Sequence, residues 1–303
     1  MPWGGVIARL RSSELLRRFI PLPVAVGALG ITQRLAVARR PEKLALARAT
    51  MEAIVGGTSH GGDLDRLAMQ QLLAWSCGWE HAWRPWLVRR MPVDGLERLA
   101  AIEPGRGVVF SRIHTSPPCT SGRLASVAGP IHQVVGDHLF APNPPGYGGY
   151  QNEQVRKLLT EGGVHLLPAH GSRATLAGVL RRGGRVLVHF DVPGSAPVRF
   201  LGKTVELKSG TARLAMDTDA VVVPVATLPR GRRWALQIGH PLDPRDHDGW
   251  SHLLQALATA HEQVLLRAPH LLETPLRQGG WAEATPAGWW ARVPEESRGS
   301  SLR

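Results

Sequence analysis

His114 closes an apolar run and opens the stretch IHTSPPCTSG, with Cys119 five residues further on. The preceding run, GVVFSR, reads as a buried strand. In open α/β sheets ligands bind outside the carboxyl ends of strands, so a histidine there stands where a general base is useful. Pro117 and Pro118 suit the first turn of a helix, with Thr115 or Ser116 as its cap. That predicts a helix N-terminus with free N–H groups beside His114. A base next to such donors suits acyl transfer: the base removes a hydroxyl proton and the donors hold an oxyanion. An imidazole base needs a carboxylate to fix its tautomer and stabilise its charged form. Asp137 and Asp191 are the candidates, each at a predicted strand end on the same side of the sheet. Asp191 equally suits the cap of the VPGS turn that follows it. Cys119 has two readings. As a thiolate at a helix N-terminus it would take up an acyl group as a thioester, and as a buried thiol it would fill space. Arg173, near the start of GSRATLAG, is a candidate to meet a phosphate at that helix N-terminus, or is simply an exposed base. HLLPAH and HFD lack further ligands at metal-site spacing, so no metal ion or other cofactor is expected.

These residues need a frame. From about residue 105, short apolar runs alternate with helical stretches. The runs are GVVFSRI, IHQVV, VHLLPA, RVLVHFDV, AVVVPVATL and WALQIG. The stretches between include QNEQVRKLLTEGG, SRATLAGVLRRGG and SGTARLAMDTD. That alternation predicts an α/β fold with a mostly parallel central sheet covered by helices on both faces. SHLLQALATAHEQVLLRAP reads as an amphipathic helix stopped by Pro269. Residues 1–100 read as a helical N-terminal region. Leu44, Leu46, Ala47, Met51 and Ile54 lie near one helix face, and a tryptophan stripe from Trp75 to Trp86 suits core packing. The expected organisation is residues 1–100 helical, 101–272 an α/β domain, and 273–303 a loosely ordered tail carrying Trp281, Trp289 and Trp290.

From Gly171 onward the chain resembles the lysophospholipid acyltransferase-like superfamily, in particular the bacterial lipid A lauroyl/myristoyl acyltransferase group. That group includes the phosphatidylinositol mannoside acyltransferases. The resemblance rests on a helix ending in Gly183-Gly184, a strand ending at Asp191 and the VRFLGK hairpin with Phe200 and Gly202. The SGTARLA helix and the strand closing in VVPV complete it, and the N-terminal ARATMEAIVGG is similar too. It covers roughly residues 10–270, and the block 171–225 is its specific part. The resemblance implies transfer of a fatty acyl chain from acyl-CoA or acyl-carrier protein to a hydroxyl or amine of a lipid, glycolipid or related polar acceptor. It implies His114 as the base. Ser116, Arg173, Phe200 and Gly202 are the substrate-binding candidates. The family's motif is His, four residues, then Asp or Glu. Cys119 stands at the acid position, and Gly136-Asp137 stand where an Arg is usual. Three readings follow: another carboxylate orients His114, Cys119 takes part covalently, or the fold binds acyl chains, carrier or membrane without turnover.

Composition bounds the setting. The 303 residues carry a formal net charge of +12, and of 36 basic residues only Lys43, Lys157, Lys203 and Lys208 are lysine. Arginine forks suit phosphates, but the basic residues are scattered in pairs and no nucleic-acid-binding signature accompanies them, so no nucleic-acid partner is expected. Two cysteines make no disulfide framework. FIPLPVAVGALGI, residues 19–31, follows Arg11, Arg17 and Arg18 and is too short to span a bilayer. With no small-residue cleavage site after it, it reads as a contact with the cytoplasmic face of the cell membrane, made by a peripheral protein.

Overall fold

The apolar runs lie side by side in one sheet. A computed structural model describes residues 13–56, 58–59, 62–142, 147–230 and 233–272. The Trp-containing tail and Arg11 lie outside them. In chain order, the N-terminal helices are α1 (Glu14–Phe19), α2 (Leu22–Arg39), α3 (Glu42–Val55), α4 (Leu64–Ala82) and α5 (Pro85–Arg89). Strand β1 (Val93–Asp94) and helix α6 (Glu97–Ala100) lead into β2 (Val108–Arg112), α7 (Ser121–Ala128), β3 (Ile131–Val135), α8 (Tyr147–Glu161) and β4 (Val164–Pro168). Then come α9 (Arg173–Arg181), β5 (Arg185–His189), the hairpin β6 (Pro193–Phe200) and β7 (Lys203–Leu207), and α10 (Gly210–Thr218). The chain closes with β8 (Val221–Arg230), β9 (Arg233–Ile238) and α11 (Trp250–Leu265).

Seven strands form the sheet in the order β1-β9-β8-β2-β5-β3-β4, and β6 and β7 pair apart from it. Every neighbour in the large sheet is parallel except β8 and β9. The fold is therefore α/β, a mostly parallel sheet flanked by helices, with helices at the N-terminus. Val93 and Asp94, ahead of the expected domain start, add an edge strand to it.

Register explains the core. Val109 lies level with Val186 on β5 and Val222 on β8, and Phe110 lies level with Leu187 and Val223. Successive side chains in a strand point to opposite faces. The first row joins Met51, Ile54, Leu180, Ala212, Leu253 and Leu257 in one apolar layer. The second joins Trp79, Trp83, Leu124, Leu158 and Leu159 in the other. All five residues of β2 are buried, which is why its sequence does not alternate. The tryptophan stripe belongs to that second layer: Trp79 packs edge-on against Trp75, centroids 5.8 Å apart, and Trp83 follows at 5.9 Å.

Local chemistry sets the helix ends that matter for the site. Asp63 caps α4 by accepting from the Arg66 N–H at 2.9 Å. Gly183, at φ +74°, ends α9, and the Gly184 N–H reaches back to the Val179 carbonyl at 2.9 Å. The chain then enters β5 directly.

Pro21 is the N-cap of α2 and Pro23 lies in its first turn, so α2 is one continuous helix. The loop after β2 differs from expectation. Pro117 and Pro118 do not open a helix. Cys119 holds a left-handed backbone, φ +69°, between the prolines and α7, which starts at Ser121.

Candidate active site

The parallel pairing of β2 with β5 builds the site. Arg112 lies level with His189, and the Phe190 N–H continues the ladder onto the Arg112 carbonyl at 2.7 Å. Two residues further along each chain stand His114 and Asp191. They meet: His114 Nδ1 lies 2.8 Å from Asp191 Oδ1. The His114 backbone N–H also donates to the same carboxylate, at 3.2 and 3.1 Å to its two oxygens. Asp191 is 2% exposed, while the His114 side chain keeps 34% of its surface open. An ionised carboxylate only accepts, so Nδ1 carries the proton in the neutral ring and Nε2 the lone pair. A buried acid behind a partly open imidazole is the geometry of an oriented general base.

Asp137 is not part of this pairing. It follows β3, two strands away from β2 and so about 9.5 Å off in the pairing direction. Its carboxylate meets His170 Nδ1 at 3.0 Å on the exposed surface.

The loop after His114 is clamped from three sides. The buried Arg112 guanidinium donates to the carbonyls of Thr115 and Pro117, each at 3.2 Å. Thr115 bridges to Leu272, and the Ser116 N–H donates to the Leu271 carbonyl at 3.0 Å. Gly78 of α4 presses on the loop from behind: a Cβ there would lie 3.0 Å from both Ser116 Cβ and Pro117 Cα. Ser116 is thus buried at 1% exposure and held as a structural link, not as a helix cap. The Ser116–Pro117 peptide is cis.

Cys119 turns inward. At 7% exposure it belongs to the apolar layer of Trp79, Phe110 and Leu124. It precedes α7 by two residues, with Thr120 as N-cap, and the Thr120 hydroxyl meets Thr227 Oγ1 at 2.9 Å. That setting matches the packing reading of the thiol better than the nucleophile reading.

The remaining candidates are placed as follows. Phe200 is 2% exposed and packs edge-on against Phe190, 5.7 Å between centroids, so it supports β5 from within the core. Gly202 occupies the two-residue turn of the hairpin with Leu201, both at positive φ, where glycine is favoured. The α11 residues Gln255 and Glu262 fasten that hairpin through the backbones of Arg199 and Leu201. Arg173 opens α9, but its guanidinium pairs with Asp217 on the surface. Among the described residues no three His, Cys, Asp or Glu side chains gather into a group that could hold a metal ion.

Two histidines escaped the sequence reading. His189 stacks face to face on His114, centroids 3.8 Å apart and planes 12° from parallel. Burial, then the nearby charges of His114 and Arg112, hold it well below the ordinary imidazole range, so it is neutral at pH 7. His261 of α11 meets Ser111 Oγ at 2.9 Å, and burial pushes its pKa down to about 4. It lines a small apolar cleft with Ile113, Thr115, Val225, Leu228 and Leu265, alongside the His114 loop. For His189 the signal was its position two residues before Asp191. Only the register shows that this places it against His114.

No family model matches this chain, and no curated protein does. Among solved structures it is similar to the 1-acyl-sn-glycerophosphate acyltransferase PlsC from Thermotoga maritima, at 17% identity and a TM-score of 0.37. The match covers 76% of this chain and 95% of that one.

Proposed function

We propose that the protein is an acyltransferase in which His114, oriented by Asp191, is the general base. The observation that carries this reading is the buried carboxylate on Nδ1 of a partly open imidazole at the carboxyl ends of β2 and β5. The resemblance of residues 171–225 supplies the substrate class: a thioester of a fatty acid, carried by CoA or acyl-carrier protein. The acceptor is a hydroxyl or amine of a lipid or glycolipid. His114 Nε2 takes the acceptor's proton as its oxygen or nitrogen attacks the thioester carbonyl. Asp191 stabilises the imidazolium that forms. Collapse of the tetrahedral adduct breaks the carbon–sulfur bond, and the imidazolium returns the proton to the departing thiolate.

The N-terminal helices give the setting. No residue of α2 is buried, and Leu15, Phe19, Val24, Ile31 and Leu35 are all more than half exposed, Phe19 at 78%. Arg18, Arg34, Arg39 and Arg40 lie exposed among and after them. Apolar residues with flanking arginines suit a helix pair lying in the interface of an anionic membrane. No helix among the described residues is long and apolar enough to cross one. The test follows thiol release and labelled lipid from long-chain acyl-CoA or acyl-carrier protein in lipid vesicles. Wild type should form product and His114→Ala should not, while both bind the donor. Equal turnover by the two would refute the reading.

A further inference from the structure

The His189 ring has no part in the proton transfer just described, yet it covers one whole face of His114. It is the last residue of β5, so the strand itself fixes its place, and Asp191 follows two residues later. One strand end thus delivers both the carboxylate at the edge of the His114 ring and the aromatic plate against its face. We propose that His189 is a positioning residue: its ring, stacked on His114, holds that imidazole against Asp191 and keeps water off one face. This rests on the reading of His114 as the base.

The groups around His114 give the effect its sign. From β5 and its continuation come His189 and Asp191, and from β2 comes Arg112. From α11 comes His261, which feels the Asp191 charge. Asp191 holds the Nδ1 edge of His114, and the Arg112 charge acts on the stacked His189. Two rings 3.8 Å apart resist carrying charge together. The Asp191 carboxylate lies on His114 Nδ1 and not on His189, so a proton entering the pair is better placed on His114. A base that stays neutral at working pH and takes its proton only during reaction is what the transfer needs.

The test is a histidine NMR titration of the full chain, with His114 assigned by its loss in His114→Ala. Removing the plate with His189→Ala hydrates the imidazolium and should raise the His114 pKa by about one unit. His189→Gln, which keeps a polar side chain but no ring, should shift it the same way, and reads the result if the alanine variant does not fold. His189→Phe keeps the plate and should leave the titration within about 0.3 unit of wild type. The acid limb of the transfer rate should move to higher pH in the alanine and glutamine variants and stay put with phenylalanine. An unmoved titration in Ala and Gln, or a Phe shift as large as theirs, overturns the proposal for His189. A wild type that turns over no donor while the titration shifts as described overturns only the acyl-transfer reading.

Discussion

At the scale of single residues, the chemistry depends on which acid faces His114. The chain places a cysteine where the motif it resembles has an acid, and a carboxylate from a different strand meets the imidazole instead. Cys119→Ala should leave thiol release within about threefold of wild type, because its sulfur packs into the layer of Trp79 and Phe110. Loss of all activity in that variant would restore the covalent relay. Spacing along the chain leaves Asp137 and Asp191, both at strand ends, as the orienting acid. It does not separate them, because strand order is a long-range property. Once β5 lies next to β2 and β3 lies beyond it, only Asp191 comes within reach. Phe200 was legible as a special residue but not as a core one: its alternating neighbours in β6 do not reveal that Phe190 waits behind it.

At the scale of elements, α4 is the wall behind the site. Gly78 lets α4 approach the Ser116–Pro117 backbone closely. Gly78→Ala should push that loop back, cost about 1–3 kcal/mol as an overpacked contact and slow acyl transfer. Thermal unfolding and the transfer assay read the two effects, and a variant unchanged in both would show that the wall has slack. The same helix anchors the N-terminal segment. Glu80 bridges Arg17 at 2.9 Å and the buried Arg84 at 2.6 Å, and Arg84 also holds the Ile20 carbonyl at 2.9 Å. Burial works to raise the Glu80 pKa, but the hydrogen bonds from Arg84 and Arg17 win and hold it below its ordinary value. Glu80→Ala strands buried positive charge and should destabilise the fold by about 3 kcal/mol. Denaturant unfolding would check it, and a loss under about 1 kcal/mol would mean water reaches the site freely. The helices and most strands were legible from periodicity. The start of α7 was not, because a left-handed Cys119 is a choice that local propensity disfavours.

For the whole molecule, the parallel sheet ties distant segments to one site, and one of its closing contacts should add to stability above the acid range. Arg106, before β2, pairs with Asp243, beyond β9, and with Asp219 after α10. The Arg106 hydrogen bond pulls the Asp243 pKa down from 3.8 to about 2. A carboxyl depressed by folding adds stability that is complete above its unfolded pKa and is lost as pH falls through the folded one. The window is therefore about pH 4 down to pH 2, and the contribution is roughly 1 kcal/mol after solvent screening. Arg106→Ala should flatten the stability profile there in acid titrations. An unchanged slope would assign the acid sensitivity to other carboxylates. The order of layers and the class of fold were legible because buried parallel strands write continuous apolar runs. The close stack of His189 on His114 was not, because it needs β2 and β5 in register. The decisive measurement is single-turnover thiol release from a long-chain acyl donor by wild type, Asp191→Asn and Cys119→Ala, side by side. The account predicts that the asparagine change, which loses the carboxylate on Nδ1, slows release about a thousandfold, while the cysteine change barely matters. Full-rate release by Asp191→Asn would contradict it.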